Sequence, residues 1–291
     1  MPELPEVETI RRSLLPILAG RKICKVEIYN DVVIESKNPD DFAALAGAEV
    51  TDINRRGKYL LFDIVQNGKP LIMVAHMRMT GKLLFDSEER PIAKHEHVRF
   101  LFDDGSQLVF EDVRRFGRLW LVSPDELPNV SGLNTLALEP LDDGFTVEYF
   151  TENLKRKKKS NAKGTLLDQH VVAGLGNIYV DEVLFAAKVH PERKVATLTH
   201  EEICNLVEAM KRILSTAIEN RGTTFRDYVD GNNEKGDMQN FLQVFQREGE
   251  KCPRCGAIIK RIKVVGRSSF FCPNCQRLDM EENENEKGVD K

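Results

Sequence analysis

Four cysteines near the carboxyl end constrain the fold of this chain more than any other feature. Two residues separate Cys252 from Cys255. After a further sixteen residues, Cys272 and Cys275 repeat that spacing. This is the pattern of a four-cysteine zinc site. Four thiolates leave no open coordination position, so we expect one structural zinc ion, without a catalytic metal or an organic cofactor. Disulfide bonding is the alternative, and a reducing interior disfavours it.

The charge of the chain is unevenly distributed. Its formal net charge of −4 argues against a nucleic-acid partner, but residues Glu281–Lys291 alone hold five acids and two lysines. Lys155–Lys163 holds six basic residues and no acid, and Arg247–Arg277 holds eight basic and two acidic residues. A charge run is most often a solvated face, but two separate basic segments can bind phosphate. We expect two phosphate-binding patches and a disordered acidic tail.

Size and hydropathy indicate a cytoplasmic protein of about two domains. The chain has 291 residues, and none of its apolar runs approaches the roughly 18 residues of a membrane span. Its acidic, proline-bearing amino end is unlike a secretory signal. We therefore expect an intracellular protein with no membrane partner.

The pattern of short apolar runs predicts strands first and helices later, an α+β chain. Strand-like runs separated by Gly, Asn and Asp turns indicate an antiparallel sandwich or barrel, flanked by an amino-terminal helix. They are Lys25–Tyr29, Tyr59–Val65, Leu71–His76, Val98–Phe102, Gln107–Phe110 and Arg118–Val122. Helices are predicted over Gly164–Val172, Ile178–Lys188 and Glu201–Glu219, and a hairpin over Ile258–Val265 and Ser268–Phe271 with its turn at Gly266-Arg267.

The first residues suggest a nucleophile. If Met1 is removed, Pro2 carries the terminal amine, whose reference pKa of about 8 leaves more of it unprotonated at pH 7 than of a lysine. Such an amine can attack an electrophilic carbon, and a secondary amine then gives an iminium. Glu3 is placed to transfer a proton. The alternative is a simple helix start, since Leu4, Val7 and the following apolar residues have helical spacing.

Two histidines, His95 and His97, flank Glu96. Alternate residues of a strand share a face, so this pair could hold a metal, but no third ligand is evident nearby in the sequence. Contact with phosphate or solvent is the favoured interpretation.

Seven motifs together resemble the formamidopyrimidine-DNA glycosylase family, bacterial enzymes that excise oxidised purines. The resemblance covers residues 2 to 277, with the motifs in the expected order. They are Pro2–Glu8, Arg56–Leu60, His76–Met79, Lys94–Val98, Asp112–Gly117, Leu167–Gln169 with Gly174–Tyr179, and Gly266-Arg267.

The resemblance implies a fold and a set of site residues. The fold is an N-terminal antiparallel β-sandwich (2–135), a helical domain with a helix-two-turns-helix motif (141–240), and a zinc hairpin (241–277) before the acidic tail (278–291). By position Pro2 is the nucleophile on the sugar C1′, Glu3 the acid at the ring oxygen, and Glu6 the group that orients the amine. Lys58 matches the proton donor of β-elimination. Arg267 matches the arginine associated with δ-elimination and phosphate binding.

The resemblance also implies a monomer in the bacterial cytoplasm, associated with the nucleoid, and it implies the DNA-contacting residues. An enzyme that excises a base must extrude it from the duplex, and side chains must then fill the gap. Met79, Arg114 and Phe116 match the three gap-filling positions, although Met79 and Phe116 could equally be core residues of neighbouring strands. Other matched DNA contacts are His76, His95, Lys158, Lys163, Asn177 and Tyr179. The loop that covers the flipped base corresponds to Thr223, Thr224, Phe225, Arg226 and Tyr228.

The expected function is removal of oxidised purines, such as 8-oxoguanine and formamidopyrimidines, from double-stranded DNA, followed by strand cleavage at the abasic site. Two alternatives remain open. An endonuclease VIII-like enzyme for oxidised pyrimidines shares several motifs, but usually has Gly where Leu4 stands. A non-catalytic lesion-binding zinc protein would have no use for both Glu3 and Lys58.

Overall fold

The computed structural model describes residues 1–36, 40–225 and 228–278. The chain divides into two compact units, each assembled from separate segments. Unit 1 contains Met1–Leu141, Val172–Leu175 and Leu214–Phe241, and unit 2 contains Asp142–Val171, Gly176–Ile213 and the described part of Leu242–Lys291. The sequence-based domain ranges follow the chain continuously and remain predictions. Most of the acidic tail, from residue 279 onward, lies outside the described residues.

Helix α1 (Leu4–Leu18) opens unit 1, and its start is encoded locally. Glu3 is the N-cap and forms a capping box with Glu6, while Pro5 occupies the first turn, where its missing N–H is not needed. The apolar face, from Leu4 to Leu18, is buried. Pro2 therefore precedes the helix rather than starting it, so the helix alone does not account for this proline.

Two four-stranded antiparallel sheets form the body of the described part of unit 1. The strands are β1 (Ile23–Ile28), β2 (Glu49–Arg56), β3 (Tyr59–Gln66), β4 (Lys69–His76), β5 (Gly81–Asp86), β6 (Glu96–Phe102), β7 (Gln107–Asp112) and β8 (Arg118–Val122). One sheet has the order β1-β6-β7-β5, and the other has the order β2-β3-β4-β8. A short helix, α2 (Asp40–Ala43), lies between β1 and β2 in the chain.

One apolar core is shared by both sheets and α1. Phe62 from β3, Phe100 from β6 and Ile10 from α1 belong to the same buried cluster. Alternate residues of each strand supply this core, as expected for two sheets packed face to face. The predicted antiparallel sandwich and the α+β class are confirmed.

Unit 2 is built from helices and a hairpin. Its elements are α3 (Val147–Lys155), α4 (Ala162–Leu167), α5 (Asn177–Ala186), the first part of α6 (His200–Glu219), β9 (Lys260–Val264) and β10 (Arg267–Phe271). The chain passes into unit 1 within α6. Within the described ranges, every helix is too short or too polar to cross a lipid bilayer.

Some boundaries differ from the sequence-based prediction. The prediction omitted β2 and β5. The predicted helix 164–172 begins and ends earlier, at Ala162 and Leu167, because Asp168 leaves the helical conformation with ψ of 110°. In the hairpin, Val265 and Gly266 have φ of 44° and 76°, the twist of a tight two-residue turn. Arg267 is therefore the first residue of β10 rather than part of the turn.

The turn at Gly174 approaches the start of α1 closely. Gly174 has φ of +95°, and a Cβ there would lie 2.5 Å from Leu4 Cδ1 and 2.8 Å from Leu4 Cβ. Its carbonyl accepts the Leu4 N–H at 3.0 Å. Only glycine therefore fits at this position.

We expect Gly174→Ala to lower the free energy of unfolding by about 3 kcal/mol, combining left-handed strain with overpacking. Gly105→Ala is the matched control, since Gly105 has φ of +84° but open space around it. Gly105→Ala should lower the free energy of unfolding only by the cost of a left-handed backbone, roughly 1–2 kcal/mol. Denaturant unfolding followed by the single tryptophan, Trp120 in β8, measures both. Equal losses would contradict the packing argument.

Candidate functional site

The start of α1 forms a buried cluster of polar groups. The Glu6 carboxylate accepts the Glu3 N–H at 2.8 Å through Oε2 and the Thr223 N–H at 2.8 Å through Oε1. Glu3 and Glu6 are both almost fully buried, and Pro2 is buried beside an exposed Met1. Glu6 thus holds residue 3, and with it Pro2, against the turn that precedes the predicted lesion-covering loop.

That turn also requires glycine. Gly222 has φ of +75°, and a Cβ there would lie 2.8 Å from Glu6 Oε1. The close approach lets the adjacent backbone N–H of Thr223 reach the carboxylate. The Glu6 side chain therefore joins the loop to the start of α1.

Lys58 contacts the segment that holds the start of α1. Its ammonium donates a hydrogen bond of 2.6 Å to the carbonyl of Leu175, and the side chain is buried. The preceding residue, Gly174, accepts the Leu4 N–H. Within unit 1, the start of α1 and Lys58 therefore bind the same short backbone segment, residues 174–175.

An ion-pair network supports the turn that carries Lys58. Glu139 is buried and accepts the Gly57 N–H at 2.6 Å and a hydrogen bond from Arg55 at 2.7 Å. Arg55 also donates to Glu8 of α1 at 3.1 Å. Burial alone would raise the pKa of Glu8, but hydrogen bonds from Arg11, Arg12 and Arg55 lower it to about 2. The network links α1 to the β2–β3 turn through charged groups.

Met79, Arg114 and Phe116, hereafter the exposed trio, project from two loops of unit 1. Met79 is 41% exposed and Phe116 is 47% exposed. The Arg114 guanidinium lies over the Phe116 ring, 4.6 Å from its centroid. Large apolar side chains at this exposure are not core residues, so the alternative that Met79 and Phe116 pack inside the sheets does not hold.

The histidines of unit 1 differ in burial and in hydrogen bonding. Burial, together with the charges of Arg78 and Lys58, lowers the pKa of His76 to about 3, so its imidazole is neutral at physiological pH. Its Nδ1 accepts the Arg78 N–H at 2.9 Å, which leaves Nε2 as the protonated nitrogen. His97 is buried with Nε2 2.7 Å from the Asp112 carbonyl, while His95 is half-buried.

The predicted lesion-covering loop is partly described. Thr224 donates its N–H to Gln239 at 2.9 Å, and Phe225 is 41% exposed. The Tyr228 hydroxyl donates to the Arg221 carbonyl at 3.1 Å; burial, with the nearby charge of Glu6, raises the pKa of this phenol far above its ordinary value. Arg226 lies outside the described residues.

In unit 2 the predicted DNA contacts separate into surface and interior residues. Lys158 and Arg267 are exposed. Lys163 and Tyr179 are fully buried. The Lys163 ammonium binds Asp181 at 2.8 Å and the Ser268 carbonyl at 2.7 Å, so in this structure it joins α4 to α5 and β10.

Asn177, at the first turn of α5, shares that carbonyl. Its amide donates to the Ser268 carbonyl at 3.1 Å, and its buried Oδ1 has no hydrogen-bond partner in the described chain. Asp181 also accepts hydrogen bonds from Ser269 and Phe270. Burial raises the pKa of Asp181 to about 6, although Lys163 opposes this effect.

The four cysteines form a metal-ligand cluster. Their Sγ atoms all lie within 4.8 Å of one another, with Cys252 and Cys275 3.9 Å apart and Cys255 and Cys272 3.4 Å apart. Tetrahedral zinc with bonds of about 2.3 Å places sulfurs about 3.8 Å apart, so the cluster fits this ion. Among the described residues it is the one cluster of three or more potential metal ligands, and it does not include His95 or His97.

Comparison with known proteins finds one family along most of the chain. Family models for the formamidopyrimidine-DNA glycosylase N-terminal domain, its H2TH domain, and the zinc finger found in FPG and IleRS match residues 1–119, 136–229 and 249–278. A formamidopyrimidine-DNA glycosylase of Pelotomaculum thermopropionicum is 47% identical over 279 residues, covering 96% of this chain and 100% of the relative.

Solved structures of the Lactococcus lactis enzyme are also similar. A variant in complex with Fapy-dG-containing DNA gives a TM-score of 0.88 at 40% identity, covering 95% of this chain and 100% of that one. A complex with abasic-site DNA gives 0.87 at 40% identity, covering 94% and 99%.

The fold, the zinc finger and these similarities define a DNA-binding repair enzyme of the DNA glycosylase and AP lyase class. The chain belongs to the formamidopyrimidine-DNA glycosylase family. The predicted fold, family and enzyme class are confirmed. The roles of individual site residues remain predictions.

We expect one zinc ion per chain, measured by elemental analysis of the purified protein. Cys255→Ser should lose it and unfold the hairpin, because structural zinc supplies on the order of 10 kcal/mol to a segment without a large core. Cys204→Ser, which changes a cysteine outside the cluster, is the matched control and should keep the metal. A zinc-free protein whose hairpin resists proteolysis would refute this.

Proposed function

We propose that this protein is a base-excision repair glycosylase that removes oxidised purines from duplex DNA and then cleaves the strand by β,δ-elimination. The observation that carries the proposal is that the buried start of α1 and the buried Lys58 bind neighbouring carbonyls, those of Gly174 and Leu175, while Glu6 binds the residue 3 backbone. A pure binding protein has no need of a buried amino-terminal proline, two adjacent buried carboxyl groups and a buried lysine in one unit.

The proposed first step is nucleophilic. After removal of Met1, the lone pair of the Pro2 amine attacks the sugar C1′, the glycosidic bond breaks, and the base leaves with its bonding electrons. The Pro2 nitrogen then gives its proton to the departing base, and its lone pair forms the iminium at C1′ as the bond from C1′ to the ring oxygen breaks. Glu3 donates a proton to that ring oxygen. Glu6 holds the residue 3 backbone through its 2.8 Å hydrogen bond and so limits the positions that the amine can adopt.

The proposed second step uses the iminium as an electron sink. Loss of a proton from C2′ expels the 3′ phosphate, and a second elimination expels the 5′ phosphate. Lys58 is the proposed proton donor of the first elimination, and Arg267 the proposed phosphate partner of the second. The proposed role of the zinc ion is structural: it would hold the hairpin in which Arg267 is the first residue of β10.

The proposed DNA contacts follow the charge distribution. The exposed Lys158 and Arg267 belong to the two basic segments found in the sequence. Neutralising phosphates with such side chains releases counterions, so binding should weaken steeply as salt rises. The relative in complex with Fapy-dG DNA supports oxidised purines as the substrate class.

Excision assays and borohydride trapping test the proposal. We expect release of base and strand cleavage from an 8-oxoguanine–cytosine duplex, and much slower reaction with thymine glycol. Borohydride should reduce the iminium to a stable protein–DNA adduct. Pro2→Gly should slow this trapping by about tenfold or more, because the secondary amine and its rigid ring are lost.

Pro5→Ala is the matched control. Pro5 lies three residues further on in the first turn of α1, and its removal leaves the terminal amine unchanged. Trapping by this variant should match the wild type. Preference for thymine glycol would favour the endonuclease VIII-like alternative, and DNA binding without excision of either lesion would favour the non-catalytic one. Equal trapping by Pro2→Gly would refute the nucleophile.

A further inference from the structure

The exposed trio projects from two loops that have no regular secondary structure of their own. Met79 lies between β4 and β5, and Arg114 and Phe116 lie between β7 and β8. Each loop contains a residue in the left-handed region: Arg78 with φ of 53° and Arg115 with φ of 56°. Non-glycine residues adopt this conformation only where surrounding contacts impose it.

One buried carboxylate binds groups of both loops. Asp112, the last residue of β7, is 1% exposed. Its Oδ1 accepts hydrogen bonds from the Thr80 hydroxyl of the first loop and from the Arg114 N–H at 3.0 Å. Its Oδ2 accepts the Gly117 N–H of the second loop at 2.6 Å.

The packing around Asp112 leaves little freedom for either loop. A Cβ at Gly117 would lie 2.6 Å from Phe110 Cζ and 3.1 Å from Asp112 Oδ2. The Thr80 hydroxyl also lies 3.3 Å from the Arg114 nitrogen, so the two loops are joined directly as well. The hydrogen bonds of the Asp112 carboxylate join these loops to each other and do not involve Pro2 or Lys58.

We propose that Asp112 is a positioning residue for base extrusion: it locks the two loops together so that Met79, Arg114 and Phe116 enter the duplex as one rigid wedge. This inference rests on the proposed function. Filling the gap left by a flipped base requires all three side chains at once. Preorganising them avoids an ordering cost at the moment of insertion. Asp112 acts on recognition and extrusion, and the bond-breaking chemistry at Pro2 does not depend on it.

Asp112→Asn tests the proposal with almost no change in volume. The amide keeps one acceptor oxygen and turns the other position into a donor. The Thr80 hydroxyl can reverse its direction, but the backbone N–H groups of Arg114 and Gly117 cannot. One of them must therefore face an N–H donor, which is costly when buried.

The measured quantity is the ratio of rates on two substrates. Excision from an 8-oxoguanine duplex requires extrusion, whereas borohydride trapping on a single-stranded abasic oligonucleotide does not. We expect Asp112→Asn to lower kcat/KM on the duplex by about 10- to 100-fold, the effect of one lost charged hydrogen bond. Single-strand trapping should stay at the wild-type rate. A 2-aminopurine placed beside the lesion should report slower unstacking.

Three further variants control for folding and location. Glu111→Gln changes the preceding residue, which pairs with Arg90, and should leave both rates unchanged. Thr80→Val removes the donor from the first loop and should reproduce the defect of Asp112→Asn. Thr80→Ser keeps the hydroxyl and should behave as wild type. If Asp112→Asn fails to fold, the Thr80 pair makes the same comparison.

The outcomes separate this inference from the proposed function. A wild-type protein that reacts on both substrates, with Asp112→Asn slowed equally on both or on neither, would overturn the role of Asp112 alone. A wild-type protein that traps neither substrate would overturn the proposed function, and the positioning role with it. Loss confined to the duplex substrate supports the inference.

Discussion

The physical constraint on which the rest of the site depends is the close approach of two glycine turns to the start of α1. Gly174 and Gly222 both have positive φ, and a side chain at either would collide with Leu4 or Glu6. The approach allows two backbone contacts, Leu4 N–H to the Gly174 carbonyl and Thr223 N–H to Glu6. Chain segments far apart in sequence thereby fix the start of α1, next to Pro2.

Unit 1 contains two separate sets of candidate site residues. The groups around Pro2 are buried and joined to residues 174, 175 and 223, whereas the exposed trio projects from loops held by Asp112. Acids hold both sets, Glu6 and Glu139 in the first and Asp112 in the second. Since carboxylates accept several hydrogen bonds at once, each can bind backbone groups from more than one segment. Under the proposed mechanism, we expect substitutions in the two sets to alter chemistry and base extrusion independently.

Features with local signatures could be predicted from the sequence. The cysteine spacing identified the metal cluster, and short apolar runs between turn residues located six of the eight strands in the two sheets and both strands of the hairpin. The omitted strand β2 carries polar residues along much of its length, with only Val50 and Ile53 buried, so its apolar signal is weak. The end of α4 was placed too late because an apolar run, Val171–Leu175, continues beyond the helix into a buried turn.

Residues whose partners are distant in sequence could not be assigned in this way. Asp112 lies within a motif noted in the sequence, but its bond to Thr80 exists only in the folded sheet. Glu139 and Asp181 each look like one acid among many, since no periodicity indicates burial. Lys163 was predicted as a DNA contact within a basic segment, but from the first turn of α4 its side chain reaches the buried Asp181. Charge counts alone do not distinguish these cases.

The central claim is that the nitrogen of residue 2 forms the covalent bond to the sugar. Peptide mapping by tandem mass spectrometry, after borohydride reduction of wild-type protein on an abasic duplex, tests it most directly. The account predicts that the modified peptide lacks Met1 and carries the sugar remnant on the Pro2 nitrogen. A remnant on Lys58 or another lysine, or a modified peptide that still carries Met1, would contradict the account.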